Sequence, residues 1–132
     1  MPNIWRPANI DDAVVRYLIA DLDRAIDFYT SRLEFRLEQR AGPVAIVSRG
    51  ALHVILSAPE SSGARSLADG ETQGPGGWNR IVLYVDDLEA TVGRLRSAGT
   101  TFQNDIIVGP GGKQIQITDP DGNPIELHEA PT

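Results

Sequence analysis

Three side chains able to bind a metal or move a proton fall on strand-like stretches: His53, Glu126 and His128. If they converge, two imidazoles and a carboxylate make a ligand set for a divalent ion. Each also has a plainer reading, as a hydrogen-bonding group on a half-buried strand. Glu126 alone suits general-base work beside a carbonyl, provided nothing holds its carboxylate form too firmly. Cysteine is absent, which removes thiolate nucleophiles, disulfides and cysteine-ligated zinc. Eleven of the twelve basic residues are Arg, Lys113 being the exception. Genome composition explains most of that bias, but Arg16 and Arg80 stand where a planar guanidinium would meet a carboxylate or a ligand anion. Tyr84, Gln114, Gln116 and Trp78 complete the candidate binding residues. Trp78 follows Gly76-Gly77, so it either swings over a planar ligand or anchors its loop by packing. The run Gly109-Pro110-Gly111-Gly112 lacks the spacing and following helix of a phosphate loop and reads as a hairpin turn.

These residues are positioned by a pattern that occurs twice. Residues 1–12 carry two prolines and no period, and read as an irregular arm. A strand over 13–20 runs into Asp21, which caps a helix to about Leu33 with Leu22, Ala25, Ile26, Tyr29 and Leu33 at helical spacing. Strands follow at about 35–40, 43–48 and 51–57. The Gly-, Ser- and Pro-rich stretch 58–79 is a connector, serving as a tether between halves or as a lid. Then a strand over 80–85 runs into Asp87, which caps a helix ending at Gly99. Strands are expected near 101–108, 113–118 and 124–128, with Asp119-Pro120-Asp121-Gly122-Asn123 as a turn. Residues 14–22 align with 80–88, so each half reads strand, helix, three strands. The first module covers 13–57 and the second 80–129, together making one domain of α+β class.

Alternation assigns the faces. Val15, Tyr17 and Ile19, then Leu52, Val54 and Leu56, then Ile81, Leu83 and Val85 supply an aliphatic side, continued by Ile115, Ile117, Ile125 and Leu127. That side should meet the helices, each buried side chain being worth roughly 1.5–3 kcal/mol. The other side mixes Arg16, His53, Ile55, Arg80, Val82, Tyr84, Gln114, Gln116, Glu126 and His128. Such a mixture suits the wall of a small-molecule cavity better than a solvated surface.

The stretches Asp21-Leu22-Asp23-Arg24-Ala25-Ile26-Asp27-Phe28-Tyr29 and Asp119-Pro120-Asp121-Gly122-Asn123-Pro124-Ile125-Glu126-Leu127 resemble the vicinal-oxygen-chelate superfamily, which includes glyoxalases, bleomycin-resistance proteins and extradiol dioxygenases. With the repeat, the resemblance spans residues 13–129. It implies two βαβββ modules whose curved mixed sheets form a cavity, with helices outside and chains paired as homodimers. It also implies a metal position formed by residues 14, 55, 80 and 126. Here those are Val14, Ile55, Arg80 and Glu126, and only Glu126 is able to ligate. No cofactor is therefore expected, unless a divalent metal sits in the atypical His53, Glu126, His128 set. In place of the ion, Arg80 is expected to pair with Glu126.

A net charge of −6 argues against nucleic-acid partners, which need a basic face. No apolar run approaches the roughly 20 residues of a membrane span, and no signal-peptide pattern opens the chain; a cytoplasmic protein is expected. The foremost functional expectation is metal-independent binding of a small organic molecule. An isomerase or lyase, or a glyoxalase- or dioxygenase-like enzyme, using Glu126 as base or ligand is the second. A dimeric interaction module without ligand is the third.

Overall fold

The computed structural model describes residues 7, 9 and 11–132, so the arm expected over 1–12 lies largely outside the described residues. The chain divides into two compact units, Met1–Pro75 and Gly76–Thr132.

The first unit runs β1 (Ala13–Leu18), α1 (Leu22–Arg32), β2 (Arg36–Ala41), β3 (Val44–Arg49) and β4 (Leu52–Ser57). Its sheet has the order β1-β4-β3-β2, with β1 parallel to β4 and the other pairs antiparallel. Helix α1 starts where Asp21 takes extended angles and its Oδ1 accepts from the Arg24 amide at 3.1 Å, satisfying a donor the first turn leaves open. Asp23 in the first turn and Arg32 in the last complement the helix dipole. The helix ends through Glu34, whose φ of 62° lies in the left-handed region. The Phe35 amide then closes back on the Tyr29 carbonyl at 3.0 Å. Tyr29 is fully buried, and Phe28 and Phe35 meet it edge-on at 5.3 and 5.4 Å. Together with Val47, Val54 and Leu56 they build the first core.

The second unit runs β5 (Ile81–Tyr84), α2 (Leu88–Ser97), β6 (Thr101–Phe102), β7 (Ile107–Gly109), β8 (Gly112–Thr118) and β9 (Pro124–Glu129). Its sheet has the order β5-β9-β8-β6, and β7 also pairs with β8. Asp87 caps α2 by accepting from the Ala90 amide at 3.1 Å. Leu88, Val92 and Leu95 face Ile81, Leu83, Ile115, Ile117, Ile125 and Leu127 in a core in which every one of these side chains is buried.

One expected strand is two. The stretch 101–108 breaks into β6 and β7 because Asn104 Oδ1 accepts from the Gln116 amide at 2.9 Å. A side chain thus takes a ladder position that backbone would otherwise fill, and after the Gln103 amide donates to Gln116 O at 2.9 Å the strand pairing lapses until Ile107. The 58–75 stretch is folded rather than extended. It carries a short 3-10 turn at Ser62–Ala64 and a closed loop in which the Leu67 amide donates to Glu71 O at 2.8 Å. Arg16 reaches across this turn, donating from Nη1 to Ser57 Oγ at 2.8 Å, and occupies the space that any side chain at Gly63 would need.

Candidate functional site

Strand register fixes which side chains of the second unit share a face. Val82 pairs with Glu126 and Glu126 with Gln116, forming one row. Tyr84, His128, Gln114 and Ile107 form the next. Arg80 precedes Val82 by two residues and so projects on the same side. This is the sheet face opposite α2. Of the residues the register places on it, the charged ones are Arg80, Glu126 and His128.

Glu126 is the centre of this face. Its side chain is only 9% exposed, and both oxygens are engaged. Arg80 donates from Nε to Oε1 at 3.1 Å, and its Nη2 lies in ion-pair contact with the same oxygen at 3.0 Å. His128 Nδ1 lies 2.8 Å from Oε2. With its amide nitrogen turned toward the carboxylate, Gln114 donates to both oxygens at 3.2 and 3.1 Å. Three donor groups thus converge on one buried carboxyl. His128 Nε2 meets the Gly111 carbonyl at 2.8 Å. The imidazole therefore faces two acceptors, which only its doubly protonated form can satisfy together. The Glu126 carboxylate first, and the Gly111 carbonyl second, hold the His128 pKa above its ordinary value near 6.5. The Tyr84 ring stands 5.0 Å from the imidazole, tilted at 43°, with 61% of the residue exposed.

The turn before β9 fixes where Glu126 begins. Asp119 is buried and its Oδ1 accepts from the Asp121 and Asn123 amides, each at 2.9 Å, while Oδ2 takes the Asn123 side-chain amide. Gly122, at φ 85°, supplies the left-handed step that a side chain would resist. Asn123 Oδ1 then accepts from the Gly76 amide at 2.8 Å, tying the start of the unit to this turn.

The remaining expected residues are placed differently. His53 Nε2 pairs with Asp12 Oδ2 at 3.0 Å within the first unit. Of the proposed His53, Glu126, His128 metal set, His53 Nε2, both His128 nitrogens and the Glu126 carboxylate are thus engaged with protein groups. Arg16 holds Ser57 and the 62–64 turn, and in that role its Nη1 already has an acceptor. Gln116 lies beside Glu126 in the row, half-buried. Trp78 is 89% exposed, which overturns the reading that it anchors its loop by packing. Val14 is exposed and Ile55 half-buried. A cavity of ≈ 270 Å³ lies in the first unit between Leu18, Ser57 and the 64–75 loop segment. Asp87, Glu89 and Glu129 cluster at the start of α2. There Lys113 Nζ sits 2.9 Å from Glu89 Oε1, and the Leu88 amide donates to Glu129 Oε1 at 2.8 Å, so the cluster is compensated by its own surroundings.

Two partners escaped the sequence. The Gly111 carbonyl has no side-chain signature at all. Asp12 did have one: it precedes Val14 by two, and Val14 is register partner of His53, so parity places Asp12 on the face of His53.

Two successive strand–helix–strand units, each with its first strand parallel to its last, define an α+β protein of the paired βαβββ kind. The family model described as the Glyoxalase/Bleomycin resistance protein/Dioxygenase superfamily matches residues 12–127, and the chain belongs to that superfamily. Solved structures agree on the fold. A lactoylglutathione lyase from Agrobacterium tumefaciens is 23% identical, with a TM-score of 0.71, over 93% of this chain and 94% of its own. TnmS3, an antibiotic binding protein from Streptomyces sp. CB03234, is 23% identical with a TM-score of 0.72, over 96% and 100%. A superfamily member from Sphaerobacter thermophilus DSM 20745 is 27% identical with a TM-score of 0.71, over 89% and 94%. No curated protein sequence matches the chain. No helix among the described residues is long and apolar enough to cross a membrane.

Proposed function

We propose that this chain is a metal-independent binding protein whose ligand is a small organic molecule held on the open face of the second sheet. One observation carries the reading: both oxygens of Glu126 are already occupied by protein donors, Arg80 on one side and His128 on the other. The four positions that hold the ion in metal-dependent relatives do not fit one here. Val14 and Ile55 offer no donor atom, Arg80 is itself a cation, and a single carboxylate falls short of the three or four ligands required. The same arrangement disfavours Glu126 as a general base, because both of its oxygens are already taken up by protein donors. Binding needs only what the face offers: apolar Val82, Tyr84 and Ile107, all substantially exposed, around a small polar centre. The antibiotic binding of TnmS3 shows that a protein of this fold is suited to such a task. We propose further that the protein is a homodimer, as the resemblance implies.

Native mass spectrometry of freshly purified protein tests this. A dimer carrying an organic adduct and no divalent ion is expected. One equivalent of metal per chain, lost in Glu126→Gln, would replace binding with a metal-dependent reading.

A further inference from the structure

We infer that the first unit holds a binding site of its own, for an uncharged one-ring organic molecule, in the cavity between the end of β1 and the strap 72–75. The site is separate from the face of the second sheet and stands whether or not that face binds anything.

Size and lining give the class of ligand. The cavity measures ≈ 270 Å³, and Leu18, Ile19, Pro59, Ala64 and Pro75 supply its apolar wall. An apolar cavity of about 150 Å³ already admits benzene, whereas drug-sized molecules need roughly 300–1,000 Å³. One ring with a short substituent suits the space between those limits. Charge points the same way. Among the described residues no carboxylate lines the cavity, and Arg65, its one charged residue, is exposed. Ser57, fully buried in the wall, already accepts from Arg16 Nη1 at 2.8 Å. An ammonium entering here would meet no counter-charge, which burial penalises. The hydroxyls of Ser66 and Thr72 belong to the loop side of the lining, and they suit a ligand hydroxyl or carbonyl.

The walls are in place before any ligand arrives. The Ile19 amide donates to Ser57 O at 3.0 Å, which fixes the end of β1 to β4. The Ser61 amide and hydroxyl both donate to Ala58 O, at 2.9 and 2.7 Å, and the Ala64 amide donates to Ser61 O at 3.1 Å. Opposite this closed turn, Gln73 Nε2 donates to Arg65 O at 2.8 Å. That bond joins the two ends of the loop and sets where the strap 72–75 leaves it. Protein interiors keep few voids larger than a water molecule. This one is bounded by hydrogen-bonded segments on each side, so it is held open rather than left by loose packing, and ordered walls spare entropy on binding.

Amide correlation spectra of the intact ¹⁵N-labelled protein, titrated with p-cresol and with benzylammonium, test this. p-Cresol should shift the amides of Leu18, Ile19, Thr72 and Gly74 saturably, with a Kd of about 1 mM or below, as its size allows. Benzylammonium should bind about tenfold more weakly or worse. Ala64→Phe, which fills the cavity, should weaken p-cresol by about tenfold or more; if it fails to fold, Thr72→Trp on the exposed loop takes its place. Gln73→Ala, which frees the strap, should weaken p-cresol by about threefold. Shifts confined to Tyr84, His128 and their neighbours would overturn this site and leave the second-sheet reading standing. Equal binding of the ammonium, or p-cresol affinity unchanged in the filled variants, would overturn it as well.

Discussion

Replacing Arg80 by Met removes one charge from the Glu126 group while keeping most of the side-chain bulk. The carboxylate it leaves is 9% exposed and would lose the Nε hydrogen bond at 3.1 Å and the Nη2 ion-pair contact at 3.0 Å. Breaking a fully buried pair costs about 3–5 kcal/mol. Two features lower that figure here. Arg80 is itself 31% exposed, so part of its attraction is screened by solvent, and His128 and Gln114 remain to satisfy the carboxylate. About 2 kcal/mol is therefore expected. For a chain of 132 residues that corresponds to a fall in Tm of roughly 6–10 °C. Thermal denaturation followed by circular dichroism reads the loss, and a double-mutant cycle with Glu126→Gln isolates the pair. The double variant should lie well above the sum of the two single losses, because an amide no longer needs a cation. A Tm within 1–2 °C of wild type for Arg80→Met, with additive behaviour in the cycle, would refute the idea that the pair compensates a buried charge.

Raising the pH tests His128. Its pKa in the folded chain is raised above 6.5 by Glu126 and the Gly111 carbonyl. Its contribution to stability is thus complete below about pH 6.5 and is lost as the pH climbs through the higher folded value. The Tm difference between wild type and His128→Gln should shrink steadily from pH 6 upward; a difference that grows would contradict the protonated assignment. Gly112→Ala should be costly, by about 2–4 kcal/mol. The residue has φ 110°, and an added Cβ would overlap the Glu129 carbonyl, backbone that cannot yield; urea denaturation measures it. Asp119→Ala should lose about 2–3 kcal/mol, since three donors in a buried turn lose their acceptor. Glu34→Gly should stabilise by about 1 kcal/mol, because it relieves a left-handed non-glycine residue at φ 62°. A lower midpoint in that variant would show that the Glu34 side chain does more than end the helix.

Both helices and the faces of the strands were readable because each depends on local chemistry. Asp21 and Asp87 announce caps, and the alternation in Ile115-Gln116-Ile117 declares which side meets the helix. The bend between Thr101 and Ile107 was not readable. Nothing in Phe102-Gln103-Asn104-Asp105 tells that Asn104 will hold the Gln116 amide, because that bond exists only after the strands pair. The pairing of Arg80 with Glu126 was expected because the resemblance places both at the metal position, although the register sets Val82 opposite Glu126. His53 shows the reverse: a metal ligand by type, it meets Asp12 in its own unit, and residue type alone does not say which acceptor lies nearest. The second hydrogen bond of His128 goes to a backbone carbonyl, which any residue at 111 would supply.

Nuclear magnetic resonance of the ¹⁵N-labelled imidazoles tests most directly whether protein donors fill the place of an ion. At pH 6 both nitrogens of His128 should carry protons, and added Mn²⁺ should leave their signals sharp. An unprotonated Nδ1, with selective broadening of the His128 signals on adding Mn²⁺, would contradict the account.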